Sequence, residues 1–188
     1  MTEDFLRESA IRRLNWGCGP DPASGWINSD RRKDDPRVEI CCDIREGLPL
    51  EDESIDYISS MHALNEVPYP ELIVVLRELL RILKVGGVLR LGLPDLDKGI
   101  KAYLRGDRDY FLIPDEDMKS LGGKFILQMI WYGYSKTLFT YDFIEEILAK
   151  AGFTRVNQCN YRETRSRYLE ITELDNREQE TLFVEATK

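Results

Sequence analysis

One histidine, His62, and four cysteines with no C-x-x-C spacing leave this chain poorly supplied with metal-binding side chains, so no zinc site is expected. Cys18, Cys41, Cys42 and Cys159 read instead as reduced thiols that fill space like small apolar residues. No apolar run approaches the roughly 18 residues that a membrane helix needs. The opening segment, Met1 to Glu8, has early acids and no basic stretch followed by an apolar one. A cytoplasmic protein with no membrane partner is the expectation. Positive charge is also in deficit, with 26 Lys and Arg against 34 Asp and Glu and a net charge of -8. That field repels a phosphate backbone, so nucleic acid is not an expected partner. The basic clusters Arg31-Arg32-Lys33 and Arg162 to Arg167 are interrupted by acids and read as solvated surface. Internal repeats and low-complexity tracts are missing.

What remains is ordinary globular material. The 188 residues suffice for one well-buried domain, 1–188, and are short for two. Thr2 to Ala10 can form a short capped helix. Strand patterns follow at Ile11 to Trp16, Gly25 to Asp30, Val38 to Ile44, Ser54 to Met61 and Val88 to Pro94. Pro70 to Leu83 repeats leucine and isoleucine at three- or four-residue steps, which predicts an amphipathic helix ended by Gly86-Gly87. Asp95 caps a second helix to about Leu104, Lys119 to Tyr132 predicts a third, and Thr140 caps a fourth that stops at Gly152. Phe153 to Asn160 and Thr181 to Thr187 are the last strands. Alternation of strands and helices predicts an α/β fold with a mostly parallel sheet. Only about nine residues join the first strand to the second, and about eight the second to the third. A parallel crossover normally takes a dozen or more. Full helices cannot fit there, and one sheet face should need cover from Thr2 to Ala10, from Lys119 to Tyr132, or from a second subunit in a homodimer.

Ligands of parallel sheets bind beyond the carboxyl ends of the strands. The first strand ends in Asn15-Trp16-Gly17-Cys18-Gly19, where two glycines allow a sharp turn and close approach to the backbone. Asp30 ends the second strand, where a carboxylate can accept from two adjacent ribose hydroxyls. Asp43, followed by Ile44, ends the third and can accept from an adenine amino group while the isoleucine covers the ring. In order, these groups trace a nucleoside. Against a nicotinamide dinucleotide, Pro22 stands where a third glycine belongs, and Asp30 comes only eleven residues after Gly19.

On Leu14 to Pro20, on Cys42-Asp43-Ile44 through Ser54-Ile55-Asp56, and on Leu79 to Asp95 with its Lys84-Val85-Gly86-Gly87, the chain resembles the class I SAM-dependent methyltransferases. The likeness is strongest to small bacterial members and covers Arg13 to Leu104, Tyr141 to Phe153 and the terminal strands. It implies a Rossmann-like seven-stranded sheet whose last strand is antiparallel, with S-adenosylmethionine (SAM) as cofactor. By that resemblance Asn15, Trp16, Gly17, Cys18 and Gly19 flank the methionine part, Asp30 the ribose, and Asp43 with Ile44 the adenine. Met61 and His62 would stand beside the sulfonium. His62-Ala63-Leu64-Asn65-Glu66 departs from the common His-x-Leu-Glu-His, which removes any role for a second histidine. His62 is the candidate base, since an unperturbed imidazole titrates near neutrality. The acceptor site is expected around Pro94-Asp95, Tyr69 and a variable lid segment, about 105–138, with Trp131, Tyr132 and Tyr134 as aromatic wall. The acceptor is expected to be a small molecule, a sugar or metabolite hydroxyl or amine. A non-catalytic SAM-binding or partner-binding protein is the alternative.

Overall fold

A computed structural model describes residues 11–33 and 35–188; the helix expected over Thr2 to Ala10 lies outside the described residues. Seven strands form one sheet: β1 (Arg13–Trp16), β2 (Ile27–Asp30), β3 (Ile40–Cys41), β4 (Ile55–Met61), β5 (Leu83–Pro94), β6 (Thr154–Cys159) and β7 (Thr181–Thr187). Their spatial order is β3-β2-β1-β4-β5-β7-β6. All neighbours pair in parallel except β7, which runs antiparallel to both β5 and β6. The chain order reverses between β1 and β4, and that reversal opens a crevice at their carboxyl ends.

Four helices accompany the sheet: α1 (Leu72–Ile82), α2 (Leu96–Arg105), α3 (Leu121–Ile130) and α4 (Tyr141–Ala151). α1 buries Leu72, Val75, Leu76, Leu79 and Ile82, the stripe its spacing predicts. α4 buries Ile144, Ile147, Leu148 and Ala151 beside it. Together they cover the face of the sheet that presents Leu14, Ile58, Leu89, Leu91, Leu182 and Val184. Each such fully buried aliphatic side chain contributes roughly 1.5–3 kcal/mol.

Three expectations are corrected. The helix over Pro70 to Leu83 is shorter: Tyr69–Glu71 is a 3-10 turn, and Leu83, with φ -66° and ψ 137°, already begins β5. Gly86-Gly87 therefore does not end the helix but lies within the strand, where a Cβ on Gly87 would crowd the carbonyls of Lys84 and Asp56 at 2.8 and 2.9 Å. The third strand stops at Cys41, so Asp43 is not its last residue; it caps a 3-10 turn, Ile44–Glu46, by accepting from the Arg45 amide. Third, α3 does not cover the second sheet face. The segment joining β6 to β7 folds back over it, and its Tyr168 and Ile171 bury against Trp26, Tyr57 and Val88. Beneath this strap Arg90, fully buried on β5, donates to Asp175 (2.6 and 2.5 Å), to Glu185 (2.8 Å) and to the carbonyls of Asn160 and Glu163.

The short β1–β2 connection holds without a helix because Asn28 takes over its polar groups. The Asn28 side-chain oxygen accepts from the Ala23 amide (2.8 Å) and from Asn15 Nδ2 (3.1 Å), and its Nδ2 donates to the carbonyls of Ala23 and Trp26. One buried amide thus satisfies a loop that would otherwise leave backbone groups unpaired.

Candidate active site

A cavity of about 530 Å³ runs along the carboxyl ends of β1, β2, β3 and β4. That size is typical of a small-molecule or cofactor site. Its first wall is the turn after β1. Gly17 and Gly19 hold φ of +70° and +56°, a conformation that a side chain disfavours. The amides of Gly17 and Cys18 both donate to the Ser29 carbonyl (2.8 and 3.1 Å), which folds the turn back onto β2. A Cβ on Gly17 would overlap that of Ala63, so β1 and β4 approach at this point as closely as the backbone allows. Asp30 closes the turn from the other side: one oxygen accepts from the Gly19 amide (2.8 Å), the other from the Arg32 amide (2.9 Å).

The second wall is the turn after β3. Asp43 pairs with Arg45, which also reaches Glu71 at 2.8 Å. The Arg45 guanidinium holds the Asp43 carboxyl down at about 2, so it is ionised throughout the neutral range. Ile44 lines the cavity but is largely buried in the core beneath it. Cys18 is buried too, and burial, followed by the charge of Asp30, pushes its thiol up to about 11. It stays protonated.

The third wall is the end of β4. Met61 is pressed toward Gly92 on β5, and His62 follows in a left-handed conformation, φ +56°. Such a backbone in a non-glycine residue costs of order 1–3 kcal/mol and is commonest at functional sites. The His62 amide donates to the Gly92 carbonyl (2.8 Å), and Nε2 lies 2.9 Å from Thr181 Oγ1 on β7. Close surroundings and the charge of Arg177 lower the imidazole from 6.5 to about 3. His62 is therefore neutral at pH 7.

Asn15, Trp16, Gly17, Cys18 and Gly19 all line this cavity, as do Asp30, Asp43, Ile44, Met61 and His62. Sequence reasoning missed Leu174, Asn176 and Arg177, which the strap brings to the rim from more than 100 residues away. No periodic or spacing signal marks them. Of the acceptor residues expected, Pro94, Trp131 and Tyr134 line a second, smaller cavity on the far side of His62. Tyr69 and Asp95 do not: Tyr69 stacks on Phe143, and Asp95 is the buried N-cap of α2, accepting from the Lys98 amide at 3.0 Å. Tyr132, half-exposed, hydrogen-bonds Asp117 and faces neither cavity.

The residues present fit a nucleoside cofactor: a glycine turn, the carboxylate of Asp30 at the end of β2, that of Asp43 at the turn after β3, and a cavity of suitable size converge at the topological reversal. These features define a Rossmann-like fold with a cavity along the sheet rim. Residues 11–91 match the model of the family described as the methyltransferase domain. No curated protein matches the chain. Among solved structures, it is similar to a SAM-dependent methyltransferase from Archaeoglobus fulgidus (TM-score 0.58, 14% identity, 95% of this chain and 87% of that one). Another is a possible histamine N-methyltransferase from Thermotoga maritima (TM-score 0.56, 19%, 94% and 82%). A third is an S-adenosylmethionine-dependent methyltransferase from Mesorhizobium loti (TM-score 0.54, 16%, 95% and 91%). The family match covers β1 to β4 and most of β5, and the likeness to these solved structures, each under 20% identical, is one of fold. Among the described residues no helix is long and apolar enough to cross a membrane.

Proposed function

We propose that this protein transfers the methyl group of SAM to a small-molecule acceptor. The observation that carries the reading is the convergence of the Gly17–Gly19 turn, Asp30 and Asp43 on one cavity, with a second cavity joined to it at His62. When bound, SAM supplies an activated methyl whose carbon–sulfur bond breaks toward sulfur as the acceptor's lone pair attacks. The chain's own part is then proximity and alignment rather than charge chemistry. Gly17 and Gly19 admit the ligand to the backbone, while Asp30 and Asp43 receive hydroxyl and amino donors. The turn amides of Gly19 and Arg32 keep Asp30 aimed at the rim. Neutral His62 stands at the junction of the two cavities, where it can position the ligand. The small volume of the second cavity, about 110 Å³, favours a small acceptor over a polymer.

Titration calorimetry with S-adenosylhomocysteine tests the cofactor assignment. Asp30→Ala is expected to weaken binding at least tenfold, and Asp43→Asn by a smaller factor, because Asp43 is already paired with Arg45. Unchanged affinity in both variants would remove this site. A screen of small acceptors with labelled SAM then separates an enzyme from a protein that only binds the nucleoside.

A further inference from the structure

The second cavity lies between the end of β4, the end of β5, α3 and the strap, and it shares His62, Glu66 and Arg177 with the larger one. Met129, Pro94, Trp131 and Tyr134 give it an apolar and aromatic lining. Two polar atoms in this lining are anomalous. Oε1 of Glu180 and Oδ1 of Asn65 are buried and accept no hydrogen bond among the described residues. Neither is loosely held. Asn65 is only 5% exposed; its Nδ2 donates to Ser135 Oγ (2.9 Å) and its carbonyl accepts from the amides of Lys136 and Thr137. Glu180 receives Gln128 Nε2 on its other oxygen at 3.3 Å. The nearest cation, Arg177, is 3.9 Å from Glu180 Oε1, too far to hydrogen-bond, and its guanidinium lies over the Trp131 ring. Burial accordingly raises the Glu180 carboxyl above its ordinary value.

Buried acceptors are satisfied in nearly all folded proteins, and those that are not call for a partner. We propose that this cavity is the methyl-acceptor subsite and that it selects a small primary amine, whose N–H groups satisfy Glu180 and Asn65 together. The count of donors decides between chemistries. A primary amine carries two or more N–H donors on one atom, a hydroxyl carries one, and a carboxylate or phosphate carries none. The lining balances two carboxylates, Glu66 and Glu180, against one guanidinium, and the Trp131 and Tyr134 rings favour the positive charge that develops on a neutral amine nitrogen as its lone pair takes the methyl. The inference rests on the SAM reading above, since it takes the neighbouring cavity as the cofactor's.

The experiment uses the full chain saturated with S-adenosylhomocysteine and two matched sets of probes: propylamine, 1-propanol and propionate, then 2-phenylethylamine, 2-phenylethanol and 3-phenylpropionate. Calorimetry or saturation-transfer NMR is expected to show an amine binding at least tenfold tighter than its alcohol and acid counterparts. Glu180→Gln should erase most of that preference while leaving S-adenosylhomocysteine affinity within about twofold. Equal or tighter binding of the alcohol or acid, absence of binding by either amine, or a preference that survives Glu180→Gln overturns the proposal. Should Glu180→Gln fail to fold, which loss of S-adenosylhomocysteine binding would reveal, the preference of the unaltered protein decides alone. If the unaltered protein does not bind S-adenosylhomocysteine, the cofactor reading fails instead, and the two failures are thus separated.

Discussion

Gly17 and Gly19 look alike in the chain and differ in the molecule. Both have positive φ, but only Gly17 faces another residue at overlap distance, the Cβ of Ala63; Gly19 has open space around it. Gly19→Ala should cost about 1–2 kcal/mol from conformation alone. Gly17→Ala adds a forced separation of β1 from β4, for a total of about 2–4 kcal/mol, and should lower S-adenosylhomocysteine affinity as well. Thermal melts with calorimetry on the two variants check the difference. His62 gives a pH prediction of definite sign. Its folded value, about 3, lies below its ordinary 6.5, so folding favours the neutral ring. Above pH 6.5 both folded and unfolded chains hold it neutral, and its contribution is complete. As pH falls from 6.5 toward 3, the unfolded chain takes a proton that the folded one refuses, and stability declines by at most about 1.4 kcal/mol per pH unit. His62→Gln should flatten that part of the denaturation profile; an identical acid slope in the two proteins would show that the ring is not the cause.

At the scale of elements, the strap between β6 and β7 does the work that helices do elsewhere in such sheets. It buries Tyr168 and Ile171 on one sheet face, and it carries Asn176 and Arg177 to the rim. Its anchor is ionic: Arg90 beneath it meets Asp175 from the strap and Glu185 from β7, with all three side chains almost fully buried. Removing one member of a buried charge set leaves the others uncompensated, which costs about 3–5 kcal/mol. Arg90→Met should therefore destabilise the protein by that order in chemical denaturation and expose residues 160–180 to proteolysis before the rest of the chain. α3 shows a related inversion, since it buries Lys124 and Gln128 while Ile126 is more than half exposed. Lys124 is held by Asp115 and by the Ile113 carbonyl, and Gln128 by Glu180 and the Leu112 amide, so polar partners rather than apolar periodicity set its rotation.

For the whole molecule, the crevice lies at the carboxyl ends of β1 and β4, where the chain order reverses, and its walls come from three separate turns and the strap. A ligand there bridges elements distant in sequence, so binding must stabilise the fold as a unit. S-adenosylhomocysteine at one hundred times its dissociation constant should add about 2.7 kcal/mol to unfolding. In a chain of this length that corresponds to a rise of about 5–11 °C in Tm, readable by differential scanning fluorimetry. Adenosine alone should give a smaller shift, because it leaves the Gly17–Gly19 turn without the methionine part.

The alternation of short apolar strands with amphipathic helices, the turn Gly17-Cys18-Gly19 and the acids at Asp30 and Asp43 were legible in the sequence because each depends on local spacing and backbone freedom. The sheet, its antiparallel β7 and the cofactor rim followed from them and from the family resemblance. Boundaries at Leu83 and Asp43 were not legible, because a bulged strand and a side-chain cap replaced the pattern that apolar spacing suggested. Only the tertiary structure decided that Arg90 is buried, that the polar segment before β7 is a strap, that the His62 imidazole is lowered below its ordinary value, and that Glu180 and Asn65 face one cavity. Those properties depend on desolvation and on charges brought together from across the chain, and neither is written in the order of neighbouring residues.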